Sequence, residues 1–198
     1  MKRVALYFGS FNPVHKGHIA LAEWIIEHKK ADEVVLIVSP QNPHKEISGL
    51  APEFNRYEMC GMACAESKYP ELIKVSAVEF TLERPSYTIN TLRFLSENFG
   101  HEMEFALLLG ADNVERFDSW RCADEIKRDY EIIVYPRRGY EVKDMECRCE
   151  YLADAPLFDF AATDIRKAIA EGRTPSEMLS SSVIKYIEQN RLYTTDNE

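Results

Sequence analysis

At 198 residues the chain has the size of one domain, with a core large enough to need no disulfide or metal staple. Its composition, 45% hydrophobic and 29% charged, is that of a globule, and a net charge of −9 argues against a chain that coats nucleic acid. No apolar run approaches the roughly 20 residues that span a bilayer, and the N-terminus enters a strand without a signal-like apolar core, so no membrane association is expected.

The apolar run Val4 to Phe8 predicts a first strand. It is followed by Gly9-Ser10-Phe11-Asn12-Pro13-Val14-His15-Lys16-Gly17-His18, a tight turn leading into a helix with Ile19, Ala22 and Ile26 on one face and Leu21 and Ile25 beside it. His15 and His18 are three apart and share a helical face at the positive end, where unpaired N–H groups favour an anion. The stretch reads as a phosphate site with two imidazole donors; the plainer alternative is a βα turn with two surface histidines.

Glu33 to Val38 is a β-branched run typical of a strand covered on both faces, and the Pro-punctuated loop Ser39 to Lys45 leaves its carboxyl end. A helix is expected from near Pro52, with Arg56, Met59 and Ala63 sharing one face as packing residues. Ile73 to Leu82 alternates like one or two strands. Arg84 to Thr88 leads into a helix through Thr91, Leu92 and Leu95 that ends near Gly100, with Ser86 or Thr88 as N-cap. Glu104 to Leu109 is a strand closed by Gly110-Ala111-Asp112-Asn113, and a short helix through Phe117 and Trp120 and a weaker one over Ala123 to Lys127 follow. Glu131 to Tyr135 is a strand ending in Pro136-Arg137-Arg138-Gly139, and the charged stretch Tyr140 to Asp154 reads as a loop. Leu157 to Phe160 is expected as a short strand, Thr163 to Glu171 as a helix stopped by Gly172, and the last helix as running from Ser180 to about Asn190. Five cysteines, Cys60, Cys64, Cys122, Cys147 and Cys149, are an odd set with no second pair to complete a zinc site, which points to reduced thiols in a cytoplasm.

Strands alternating with helices imply an α/β fold, a doubly wound and mostly parallel Rossmann-like sheet with helices on both faces and a small C-terminal helical part, all in one domain over 1–198. In such sheets ligands bind beyond the carboxyl ends of the strands, so the Gly9, Pro40, Gly110 and Arg137 loops can converge. The converging groups are His15, His18, Lys45, Arg137, Arg138, Arg166 and Thr163, a set of cations and donors without a nucleophile–base pair or a close carboxylate pair. Phosphoryl and nucleotidyl transfer ask for little else, since positioning and charge stabilisation carry most of the rate. Gly-x-x-x-x-Gly-Lys-Ser/Thr and Gly-x-Gly-x-x-Gly are both missing, which disfavours a P-loop nucleotidase and a dinucleotide-binding dehydrogenase.

Gly9 to His18 resembles the Gly-x-Phe-x-Pro-x-His-x-Gly-His signature of the HxGH nucleotidyltransferases. Pro40 to Lys45, Arg84 to Leu92, Gly110 to Asp112 with Phe117 and Trp120, Arg137 with Gly139, Thr163 to Arg166, and Val183, Tyr186, Ile187, Leu192 and Tyr193 narrow the resemblance to the bacterial nicotinate-nucleotide adenylyltransferases. That resemblance covers nearly the whole chain. It implies transfer of AMP from ATP to nicotinate mononucleotide, giving deamido-NAD and pyrophosphate with Mg²⁺. It further implies His15, His18 and Arg166 as catalytic residues, and Gly9, Ser10 and Phe11 as backbone contacts to ATP. Gly110 and Asp112 would hold the ribose, Thr163 and Arg166 the outer phosphates. Tyr87, Thr88, Trp120 and Arg121 would form the pyridine pocket, with Arg137 on the acceptor side and Lys45 lying over the phosphates.

Asn12 and Asn90 stand where that family usually has Asp, Ala161 and Ala162 replace two serines, and Arg138 replaces a proline. Trp120 as a plain core aromatic and Asp112 as a helix N-cap are the structural alternatives. Three other functions compete: a related transferase acting on nicotinamide mononucleotide or phosphopantetheine, a non-catalytic nucleotide-binding protein, and a metal hydrolase using the two histidines. Oligomeric state stays open, a homodimer being one option.

Overall fold

A computed structural model describes residues 1–40, 49–140 and 145–194. Six strands form one sheet: β1 (Lys2–Gly9), β2 (Glu33–Val38), β3 (Ile73–Ser76), β4 (Met103–Gly110), β5 (Glu131–Tyr135) and β6 (Cys149–Tyr151). Their spatial order is β3-β2-β1-β4-β5-β6 and every neighbouring pair is parallel. The chain winds outward from β1 to one edge, returns, and winds from β4 to the other. The order therefore reverses between β1 and β4, which opens a crevice at their carboxyl ends.

Alternation along the strands divides the core into two layers. Ala5, Tyr7, Leu36, Leu108 and Ile133 face one side, where they meet Leu21, Ala22 and Ile25 of α1 (Lys16–Glu27), Met59 and Cys60 of α2 (Glu53–Ala65), Ile165 of α7 (Ala162–Ala170), and Val183 and Ile187 of α8 (Ser181–Gln189). Val4, Leu6, Ile37, Leu107 and Val134 face the other side, against Ile89 and Leu92 of α4 (Thr88–Phe99), Phe117, and Ile126 of α6 (Ala123–Asp129). The expected two-faced cover is present, and the C-terminal helices complete the α1–α2 layer. On α1 the deeply buried stripe is Leu21, Ala22 and Ile25, while Ile19 and Ile26 flank it half-buried.

Of the one or two strands expected over Ile73 to Leu82 one forms, Ile73–Ser76, and α3 (Val78–Thr81) follows it as a single helical turn that buries Glu79. Three expectations are corrected. Leu157 to Phe160 pairs with no strand; instead Phe158 and Phe160 pack edge-to-face at 5.6 Å and Phe160 meets the His15 ring. The sixth strand lies in the segment read as a loop. Cys149–Tyr151 is an edge strand held through Glu150, which takes Lys30 and Arg3 at 2.6 and 3.3 Å, so it carries no apolar alternation to read. Neither Ser86 nor Thr88 caps α4: the N-cap is Tyr87, without a side-chain cap bond, and the Ser86 hydroxyl is buried with no partner.

Candidate active site

The turn after β1 is shaped by close packing. A Cβ on Gly9 would lie 2.9 Å from the Phe11 ring, so only glycine fits there. Phe11 adopts a left-handed φ of 44° and its ring is held edge-on by Tyr7 at 5.5 Å and His18 at 5.1 Å. Asn12 ties the turn to distant segments. Its Nδ2 donates to Gly49 O at 2.8 Å, and its Oδ1 accepts from Ala51 N–H at 3.1 Å and Tyr193 O–H at 2.8 Å. The donation to Gly49 is one an aspartate could not make.

His15 is the N-cap of α1 and His18 lies in its first turn. Their rings stack with centroids 3.6 Å apart and 22° between planes. The His15 backbone N–H donates to His18 Nδ1 at 3.1 Å, so neutral His18 carries its proton on Nε2. Burial, with Arg137 adding repulsion, pushes His15 down to about 4. Burial, then His15 and Arg137, holds His18 well below the usual histidine range. Both imidazoles are thus neutral near pH 7, so each can offer a hydrogen bond but carries no charge. His15 Nδ1 is buried and has no hydrogen-bond partner among the described residues.

The start of α7 meets this pair from across the crevice. Phe160 packs edge-on to His15 at 5.2 Å, and Arg166 Nη1 donates to Asn12 O at 2.7 Å. Ala161 is the N-cap of α7 and supplies no hydroxyl; its backbone N–H is taken by Asp164 Oδ2 at 2.7 Å. Thr163 and Arg166 line the larger cavity.

From β4, a Cβ on Gly110 would crowd the Asp112 carboxylate and lie 3.1 Å from the Tyr135 ring, so a side chain there would displace Asp112 from its place. Asp112 lies inside the helical turn α5 (Ala111–Val114), whose N-cap is Gly110, so the N-cap alternative for Asp112 fails. Arg137 leaves β5 with its guanidinium 5.3 Å over the Tyr135 ring and its Nε 3.4 Å from Asp112 Oδ1. Tyr7 and Tyr135 meet through their hydroxyls at 3.3 Å beneath the histidines.

Two adjoining cavities share these residues. One of about 830 Å³ runs from Gly9, Ser10 and the histidines past Gly110 to Tyr87, Thr88, Trp120 and Arg121; another of about 390 Å³ lies between Arg137, Tyr140, Phe158 and Ala161. At the far end Trp120 packs on Phe117 at 5.1 Å, and Arg121 stands 4.7 Å over the Tyr87 ring. The result is a donor-rich end suited to phosphates and an aromatic end suited to a flat ring.

The sequence matches the cytidylyltransferase-like family over residues 6–185. It is 36% identical over 195 residues to a probable nicotinate-nucleotide adenylyltransferase of Christiangramia forsetii, covering 97% of this chain and 98% of the relative. Similar relatives of that description occur in Bacteroides fragilis, at 39% identity over 94% of this chain and 92% of the relative, and in Porphyromonas gingivalis, at 41% over 85% and 84%. The chain belongs to the nicotinate-nucleotide adenylyltransferase family. The fold agrees: a Plasmodium falciparum nicotinic acid mononucleotide adenylyltransferase, solved with NaAD, superposes with a TM-score of 0.81 at 16% identity over 98% of both chains.

Within this adenylyltransferase fold, the residues singled out from sequence come together, with one outside view. Gly9, Ser10, Phe11, His15, His18, Gly110, Asp112, Thr163 and Arg166 line the larger cavity, as do Tyr87, Thr88, Trp120, Arg121 and Arg137. Lys45 lies outside the described residues. Arg137, grouped with the acceptor pocket from sequence, lines both cavities and stands beside Asp112 and the histidines. Arg138 pairs with Asp159 at 2.6 Å on the exposed rim. Four groups escaped the sequence reading: the Tyr7–Tyr135 pair, Asn12 as a hub, buried Glu79 with Thr91 donating to its Oε1 at 2.9 Å, and Arg56. Of these only Arg56 left a signal, an arginine on an otherwise apolar helix face.

Proposed function

We propose that these loops carry the family's reaction, transfer of AMP from ATP to nicotinate mononucleotide with release of pyrophosphate, in NAD biosynthesis. An oxygen of the acceptor's 5′-phosphate attacks the α-phosphorus in line, a new P–O bond forms, and the bond to the β-phosphate breaks. The observation that carries this reading is the stacked, neutral His15–His18 pair facing the start of α7. With the proton of His18 on Nε2, the pair can hold the α- and β-phosphates and donate to charge developing on the transferred group. Arg166 and the N–H groups of α7 suit the outer phosphates, and Arg137 neutralises the leaving pyrophosphate. The Trp120 and Tyr87 rings suit the pyridine, with Arg121 attracting its carboxylate.

Mg²⁺ fits here as a passenger on the triphosphate. Magnesium keeps several waters and is typically held by one or two carboxylates plus substrate phosphates. Asp112, Asp159 and Asp164 are the carboxylates in the wall of the smaller cavity, Asp159 being engaged by Arg138. The metal would neutralise phosphate charge, while the chain's own donors orient the oxygens.

The deciding assay measures pyrophosphate release with ATP and, side by side, nicotinate mononucleotide, nicotinamide mononucleotide and phosphopantetheine. The expected result is release that requires nicotinate mononucleotide and Mg²⁺. Normal ATP binding without such dependence would overturn the reading.

A further inference from the structure

Arg56, on α2, is fully buried at 0% exposure. Four of its five N–H donors go to loop carbonyls: Nε to Ala51 O at 2.9 Å, Nη1 to Ser10 O at 2.6 Å and Ser39 O at 2.8 Å, and Nη2 to Pro40 O at 3.0 Å. Among the described residues no carboxylate forms an ion pair with it. Glu53, one turn away, is engaged by Arg84 at 2.8 Å. A guanidinium does not shed its proton in a protein, so the interior holds a positive charge that dipoles solvate and that no carboxylate among the described residues contacts. Such a charge is costly to bury, and fold stability alone would be served as well by an apolar side chain of similar volume.

The carbonyls it holds belong to the loops leaving β1 and β2 at the carboxyl edge. Ser10 and Phe11 line the larger cavity and Arg56 does not. In a planar trans peptide C=O and N–H point opposite ways, so fixing Ser10 C=O on Arg56 turns the Phe11 N–H away from Arg56, to the cavity side. The left-handed φ of Phe11 needs such over-determination to persist.

We propose that Arg56 is a positioning residue for the polyphosphate of the nucleotide substrate: it orients the Ser10–Phe11 peptide and adds a buried positive charge that bound phosphate balances. This inference rests on the ATP reading above. The test compares the parent with Arg56→Met and Arg56→Lys, measuring calorimetric affinity for inorganic tripolyphosphate and for adenosine, KM for each substrate, and the urea unfolding midpoint. Removing the charge is expected to weaken tripolyphosphate binding about tenfold or more and raise the KM for ATP alike, with adenosine affinity and acceptor KM within about twofold. Lysine, which keeps the charge and loses the fork, should recover about half of that loss on a logarithmic scale. Unchanged tripolyphosphate affinity in Arg56→Met with a lowered unfolding midpoint overturns the proposal and leaves Arg56 a brace of the fold. Should Arg56→Met not fold, Arg56→Lys decides: a loss of about threefold in tripolyphosphate affinity with adenosine unchanged supports it, and no loss overturns it. A parent that binds neither ATP nor tripolyphosphate fails the ATP reading itself, whereas a parent that binds both beside an indifferent variant fails only the role of Arg56.

Discussion

The two ends of the sheet use charge in opposite ways. At the amino ends of the strands cations meet carboxylates. Glu33 takes Lys2 and Lys74 at 2.6 and 2.5 Å, Arg3 bridges Glu131 and Glu150 at 2.7 and 3.3 Å, and Arg148 reaches Glu104 and Glu131. At the carboxyl ends several donors rest instead on backbone carbonyls or over a ring: Arg166 on Asn12 O, Arg56 on four carbonyls, and Arg137 over a tyrosine ring with Asp112 only 3.4 Å from its Nε, while Arg138 is paired with Asp159 on the rim. Paired charges staple strands to one another and are individually worth little when exposed. Charges left without counter-charges keep their field for a ligand. A net charge of −9 describes neither end, because the sign that a substrate meets is set locally.

That contrast predicts a graded response to mutation. His18→Ala removes a donor from the phosphate end and should lower kcat for pyrophosphate release by about 10²–10³-fold; a loss under about fivefold would confine the ring to shaping the turn. The next effect is on stability. His15 sits at about 4 in the folded protein against 6.5 when free, so the unfolded chain binds more protons between those values. Stability should therefore fall as pH drops from about 6.5 to 4, by about 3 kcal/mol from this residue. Urea titrations at several pH values should show a smaller slope in His15→Gln, and equal slopes would contradict the burial argument. Trp120→Ala should raise the acceptor KM about tenfold and leave the KM for ATP nearly unchanged, since stacking at the aromatic end touches one substrate only. At the other end of the sheet Arg148→Ala should cost under about 1 kcal/mol of unfolding free energy and leave turnover within about twofold. A large activity loss there would erase the distinction between the two ends.

Much of the fold was readable because both faces of the sheet are covered. Buried runs such as Glu33 to Val38 and Glu104 to Leu109, the glycine turns that follow strands, and Gly172 with its φ of 73° are local features with local causes. The misread segments are those with other causes. Cys149–Tyr151 is a strand through its backbone pairing with β5, while its Glu150 side chain takes Arg3 and Lys30, from β1 and the segment after α1, and Leu157 to Phe160 walls a cavity.

The sequence by itself determined the alternation of strands and helices, the His15–His18 spacing on a helix start, and many, though not all, of the residues that the larger cavity gathers. Periodicity and turn chemistry act over a few residues, so they survive in one dimension. Only the tertiary structure decided that the two histidines are neutral, that the Asn12 side chain binds two distant segments, and that Arg56 is a buried cation held by carbonyls. Burial, dielectric and the direction of a carbonyl depend on what else has folded around them. No spacing along the chain encodes those quantities.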